Sequence, residues 1–125
     1  MRNALLVGLG GFLGSSGRYA VGAVVHQLLP TTRFPMATLV VNVVGCFLIG
    51  LLGGLVESRH LLSADVRLFV FTGVLGGFTT FSAFAFETWF LGREHFTRVA
   101  ILNVAAHVLI GLAVVALGVR VARMT

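Results

Sequence analysis

Residues 76–88 read GGFTTFSAFAFET, with hydroxyl side chains and a carboxylate threaded among phenylalanines inside a long apolar stretch. Phe78, Phe81 and Phe84 recur every third residue, and so do Thr79 and Ser82, so a regular helix would carry them as neighbouring stripes. Two chemistries meet there. A threonine or serine hydroxyl donates a hydrogen bond, and a phenyl ring is negative on its face and positive at its rim. Rings presented edge-on can receive a small anion without any full positive charge. The plainer alternative is packing, and spacing alone favours it.

The same stretch is suited to breaking a helix. Hydroxyls bond back to the carbonyl of the preceding turn and bend it, and Gly76–Gly77 weakens that turn further. A broken helix exposes backbone carbonyls and amides, which at membrane depth are tolerated only when buried in protein or lining water.

Five positions, Glu87 among them, place ionisable or amide groups in apolar surroundings. Arg18 stands about a dozen residues from either end of its stretch, or ~18 Å at helical rise, too far to reach water along the helix. It needs a structural partner or a wet cavity, and beside a cavity a permanent cation suggests an anion. Asn42, within TLVVNVVGCF, offers two donors and an acceptor; interhelical glue, worth about 0.6 kcal/mol, and a functional role are both open. Asn103 and His107 lie four apart on one helix face, continued by Gly111. One histidine is no metal site, and His107 is expected to be neutral, donating one hydrogen bond, with serine able to replace it. Glu87 either pairs with an arginine such as Arg93 or lines a pathway.

These groups must be positioned by a chain of 125 residues, 58% hydrophobic, with nine basic and four acidic side chains. A soluble domain carries roughly a quarter charged residues, so this is an all-α membrane protein forming a single domain over residues 1–125. Four apolar stretches, 4–29, 36–56, 68–91 and 99–119, separated by short polar breaks, are each near the roughly 20 residues a helix needs to cross hydrocarbon. The opening MRNALLVGLGGFLG resembles a signal peptide but lacks a convincing cleavage site and runs on to Leu29, so it reads as a retained first span. Cys46 is the only cysteine, which excludes an intrachain disulfide. No run of arginines suggests nucleic-acid binding. Gly10 and Gly14, Gly50 and Gly54, and Gly73 and Gly77 have the four-residue spacing that lets helices approach closely in lipid.

The basic residues are all arginine. Setting Arg18 aside, Arg2, Arg59, Arg67, Arg120 and Arg123 fall on one side of a four-span topology, and Arg33, Arg93 and Arg98 on the other. A split this small is a weak orientation signal and admits insertion both ways up; the alternative is that the richer side simply faces the cytoplasm.

GGFTTFSAF followed by Glu87, together with GRY at 17–19 and TLVVNVVGCFLIG at 38–50, strongly resembles the Fluc (CrcB) fluoride channel family, in the right order and over essentially the whole chain. The resemblance implies four transmembrane helices with the third broken, assembled as an antiparallel dual-topology homodimer around two fluoride pores and a central structural sodium ion. Residue by residue, it assigns Asn42, Phe81, Phe84, Thr80, Ser82 and Glu87 to the fluoride pathway and Arg18 to the aqueous vestibule. Gly76 and Thr79 match the positions whose backbone carbonyls hold the sodium. There are departures: Asn103, His107 and Gly111 stand where the fourth helix commonly offers hydroxyls, and Ala83 where threonine is frequent.

The expected function is passive export of fluoride across the inner cell membrane, with no enzymatic step. One rival is a transporter of the small multidrug-resistance type, which needs a carboxylate in the first span, where this chain has only Arg18 as a charge. The other is a structural subunit of a membrane complex.

Overall fold

The computed structural model describes residues 1–59 and 62–124, and these are helical apart from short connections. Helix α1 spans Arg2–Leu28 and α2 spans Met36–Arg59. Pro30 ends the first, because the residue before a proline is driven out of helical geometry; Leu29 adopts φ −129° and ψ 60°. Pro35 precedes the second, and its carbonyl accepts from the Leu39 N–H at 3.1 Å. The third long element is composite. Its first turn, α3 (Ala64–Arg67), is capped by the Ser63 hydroxyl, which accepts from the Val66 N–H at 3.4 Å. A π-helical segment Leu68–Leu75 follows, then α4 (Gly76–Phe78), a break at Thr79 and Thr80, and α5 (Phe81–Arg93). After α5 the chain turns through His95 at φ 66°, with the Phe96 N–H returning to the Leu91 carbonyl at 2.9 Å, a left-handed helix ending. The last helix, α6, spans Thr97–Met124.

Among the described residues, three elements are long and apolar enough to cross a membrane: Met36–Glu57, Ala64–Arg93 and Thr97–Met124. Helix α1 has the length, at 27 residues, but is more polar, carrying Ser15, Ser16, Arg18, His26 and Gln27.

Packing follows the glycines. α1 lies on the π-helical segment and α4, and α2 lies along α6. A Cβ on Gly10 would stand 2.5 Å from the Phe69 carbonyl oxygen and 2.9 Å from Gly73 Cα, and one on Gly77 would stand 2.6 Å from the Gly11 carbonyl oxygen. On the other seam, Gly50 abuts the Val115 carbonyl, and a Cβ on Gly54 would lie 2.7 Å from that of Ala122. Five of the six paired glycines thus sit against backbone atoms and Gly54 sits against the Ala122 methyl group, so none has room for a methyl group of its own.

The break differs from its sequence expectation in one respect. Gly76 has ordinary helical angles, φ −64° and ψ −37°, and does not supply an unusual backbone geometry. The chain leaves the helix at Thr79 (φ −81°, ψ 159°) and Thr80 (φ −150°, ψ 115°), both extended conformations that β-branched residues favour. Of the arginines in the orientation count, the Arg59 side chain lies outside the described residues.

Candidate ion pathway

The break is braced from α2. Asn42 Nδ2 donates to the Thr80 carbonyl at 3.0 Å, and the Thr80 N–H donates to Asn42 Oδ1 at 2.9 Å. One amide side chain therefore satisfies both backbone groups of the residue that leaves the helix, and an amide nitrogen retains a second N–H. Thr80 in turn caps α5: its hydroxyl accepts from the Ala83 N–H at 3.2 Å and lies 3.2 Å from the Ser82 hydroxyl. Thr79 bonds back to the Leu75 carbonyl through its hydroxyl at 2.9 Å.

These diversions free particular carbonyls. In a continuous helix the Thr80 N–H would reach Gly76 O and the Ala83 N–H would reach Thr79 O. Here the first goes to Asn42 and the second to the Thr80 hydroxyl. The two carbonyls that the sequence resemblance assigns to sodium are among those that lose their helical donors at the break. Hard cations take oxygen ligands, so the donor set fits such an ion. Among the described residues no three His, Cys, Asp or Glu side chains come together, so side chains offer no rival metal site there.

The aromatic stripe is divided by the break. Phe78 packs back against Gly17 and Gly45 and belongs to the helix contacts. Beyond the break, Phe81 and Phe84 have ring centroids 5.5 Å apart at 57°, and Phe81 is 78% exposed in the single chain. Phe84 also lies against His107, centroid to centroid 4.4 Å at 37°.

Helix α6 meets α5 through a short polar chain. The Asn103 side-chain amide donates to the Thr88 hydroxyl at 2.8 Å, which donates to the Phe84 carbonyl at 2.7 Å. His107 Nδ1 lies 2.9 Å from the Asn103 carbonyl, which can only accept. Asn103 Oδ1, His107 Nε2 and Glu87 Oε2 are buried with no hydrogen-bond partner among the described residues.

Four cavities follow one another along α2. The first, about 190 Å³, lies at the α1–α2 connection between Arg33, Thr38 and Glu87. Thr38 is shared with a cavity of about 170 Å³ that holds Arg18 and reaches Thr80. Thr80 is shared with one of about 400 Å³ lined by Asn42, Phe81, Phe84 and His107. Phe71, which lines that cavity, also lines an open cleft of about 780 Å³ between Glu57 and Arg67. Arg18 makes no ion pair among the described residues, and it stands at the second of these cavities. Glu87 is not paired with Arg93: its Oε1 accepts from the Thr38 hydroxyl at 2.7 Å, while Arg93 lies 3.5 Å from Glu94 and over the Trp89 and Phe90 rings.

Sequence reasoning missed Thr38 and Thr88. Thr38 lies four residues before Asn42 on the same helix face, and Thr88 four residues after Phe84; those spacings were the available signal. Nothing in the sequence marked the π-helical turn.

A family model described as CrcB-like protein, Camphor Resistance (CrcB) matches residues 5–119. Among curated proteins, a fluoride-specific ion channel FluC of Methylobacillus flagellatus is 40% identical over 125 residues, covering 100% of this chain and 98% of its own. The channel of that name from Chlorobaculum tepidum is 45% identical, covering 99% and 97%, and that from Agrobacterium fabrum is 50% identical, covering 90% and 95%. With its braced helix break and this full-length similarity, the chain belongs to the CrcB family.

Proposed function

We propose that the protein is a fluoride-selective channel that lets cytoplasmic fluoride leave the cell passively and so limits its toxicity; it is not an enzyme. The observation that carries this reading is the break at Thr79–Thr80, where Asn42, Thr80 and the Phe81–Phe84 pair meet one cavity. Its relatives carry the name of fluoride-specific channels.

Fluoride holds its water strongly, so a pore must replace that water with fixed donors and dipoles while binding weakly enough to release the ion. The Thr80 and Ser82 hydroxyls and the second N–H of Asn42 supply hydrogen bonds, and the rims of Phe81 and Phe84 supply positive edges. Thr38 orients Glu87 at one mouth, and Arg18 raises local anion concentration in the vestibule. Asn103 and His107 border the path from α6.

The working unit is a homodimer of two antiparallel copies, each contributing four membrane spans with α1 as the first, inserted in the inner membrane in both orientations. Support comes from the surface of the break. Gly76, Phe81 and Ser82 are exposed in the single chain, beside carbonyls that have lost their helical donors, and lipid does not tolerate irregular backbone. A second copy covers them. The Gly76 and Thr79 carbonyls of both chains would hold one structural sodium ion, which is not transported. Bound there, it offsets the partial negative charge of the four carbonyls.

Fluoride release from potassium-fluoride-loaded liposomes containing only this chain, followed by electrode after valinomycin, tests the proposal. Release well above empty liposomes with little chloride is expected. No release, or equal chloride release, overturns it. Activity of the purified chain also rules out a purely structural subunit.

A further inference from the structure

We propose that His107 sets anion selectivity through Phe84: its imidazole covers one face of the Phe84 ring and holds that ring's rim toward the conducting cavity. The inference rests on the channel reading above and concerns a residue at which this chain departs from the hydroxyls common in its family.

His107 is a poor direct ligand for an anion. The Asn103 carbonyl accepts at 2.9 Å, so Nδ1 carries the proton of that contact, and in the singly protonated ring Nε2 is then a bare lone pair. That lone pair is buried and has no hydrogen-bond partner among the described residues, and the ring lines the same cavity as Phe81 and Phe84. A lone pair repels fluoride and gives it nothing to bind.

The imidazole does have a clear mechanical contact. Its centroid stands 4.4 Å from that of Phe84 at 37°, close enough to cover one face. Rotation of Phe84 about its Cβ–Cγ bond would sweep ring edges through space the imidazole fills. The same helix also holds the Phe84 backbone, through Asn103 and the Thr88 hydroxyl to the Phe84 carbonyl. α6 thus fixes Phe84 twice, once by its carbonyl and once by its ring. Since the rim of a phenyl ring is positive and the face negative, a ring free to turn offers an anion both signs in alternation. Serine keeps a polar group but has no flat surface, so the sequence expectation that it replaces His107 does not follow from the structure.

The test compares wild type with His107→Phe, His107→Gln and His107→Ser, each checked for wild-type elution in detergent. Two readouts are taken: fluoride and chloride release from liposomes, and the fluorine resonance of Phe84 in protein labelled with 3-fluorophenylalanine, assigned by its loss in Phe84→Leu. A meta-fluorine distinguishes the two ring orientations, giving separate signals for a held ring and one averaged signal for a turning ring. His107→Phe is expected to keep fluoride selectivity and separate signals. His107→Ser and His107→Gln are expected to merge the signals and lower the fluoride-to-chloride ratio about tenfold, the scale of one lost ring contact. Should the serine variant not fold, the glutamine variant carries the comparison. Unchanged selectivity and signals in the ringless variants overturn the proposal. So does a phenylalanine variant as unselective as they are, since the nitrogens would then be what matters. If wild type passes no fluoride, the channel reading fails, while the fluorine signals still decide whether His107 holds Phe84.

Discussion

Asn42 and Thr80 exchange two hydrogen bonds, at 3.0 and 2.9 Å, between one side-chain amide and both backbone groups of one residue. The contact joins α2 to the only point where the third long element loses its helix. It makes Asn42 a structural brace as well as a proposed pathway residue. Removing it leaves the half-buried Thr80 N–H without its acceptor and takes one donor from the Thr80 carbonyl, at a cost of ~1 kcal/mol or more. Asn42→Ala is expected to melt well below wild type and to conduct no fluoride. Asn42→Asp keeps the acceptor for the Thr80 N–H but loses the donor and adds negative charge. It should melt between the two and be equally silent. Thermal melts read by elution in detergent, paired with liposome release, check both; an alanine variant with the wild-type melt would remove the brace from this account.

Phe81 and Phe84 should separate from each other on stability while agreeing on transport. Phe81 is exposed in the single chain, whereas Phe84 is held by His107 and its own helix. Phe81→Ile loses the contact with Phe84 alone, whereas Phe84→Ile loses those with both Phe81 and His107, so the second should be less stable than the first by about 1 kcal/mol, the scale of one more lost ring contact. Both should slow fluoride release. Full release in both variants would return the two rings to ordinary packing.

Glycine substitutions should divide sharply by position. A methyl group on Gly14 meets the Val74 carbonyl, whereas one on Gly92 meets nothing within 4 Å. Gly14→Ala is expected to cost ~1–3 kcal/mol through overpacking. Gly92→Ala, inside α5, should be neutral or gain up to ~1 kcal/mol of helix propensity. Yield and melting of folded protein measure the difference, and equal behaviour would mean that the α1 contact relaxes freely.

The residues that could be read from the sequence are those whose chemistry conflicts with their surroundings. Hydroxyls, an amide and an arginine in apolar stretches stood out because lipid penalises them, and the glycine pairs stood out by period. The same logic placed the break within GGFTTF and credited both its glycines and its hydroxyls; Gly76 keeps helical angles, while the extended angles fall on the two threonines, the first of which bonds back to Leu75. The Asn42–Thr80 exchange was illegible: it joins positions 38 residues apart, and neither residue type signals the other. His107 against Phe84 was hidden for the same reason, since a helical period shows which face a side chain is on but not which ring lies opposite. The π-helical turn leaves no compositional mark.

Orientation offers a test independent of the pore. With five arginines against three on the two sides, reporters of cytoplasmic and external location fused to the C-terminus should both give signal. One silent reporter would refute dual insertion. Several lysines added at the C-terminus should fix one orientation and reduce fluoride release, because the proposed antiparallel partners would then be missing.

Gly76 gives the sharpest test of the shared sodium site. Nothing within its own chain requires glycine there: the angles are helical, and an added Cβ would meet only the Phe71 carbonyl oxygen, at an ordinary 3.7 Å. The residue is nevertheless exposed and beside carbonyls whose helical donors are taken by Asn42 and Thr80. If a second copy crosses at this point and its carbonyls join these around one cation, room for the partner is what the glycine preserves. Gly76→Ala should then leave the helix content of the chain intact, yet weaken the dimer and abolish the dependence of melting on sodium concentration. Thr79→Ser, which changes no main-chain ligand and keeps the hydroxyl bond to Leu75, should behave as wild type. Melts of wild type in sodium and in an equal concentration of a bulky organic cation provide the baseline, with sodium expected to raise the midpoint. A wild-type melt indifferent to sodium, or an alanine variant that dimerises and responds to sodium normally, would show that the freed carbonyls are satisfied in some other way.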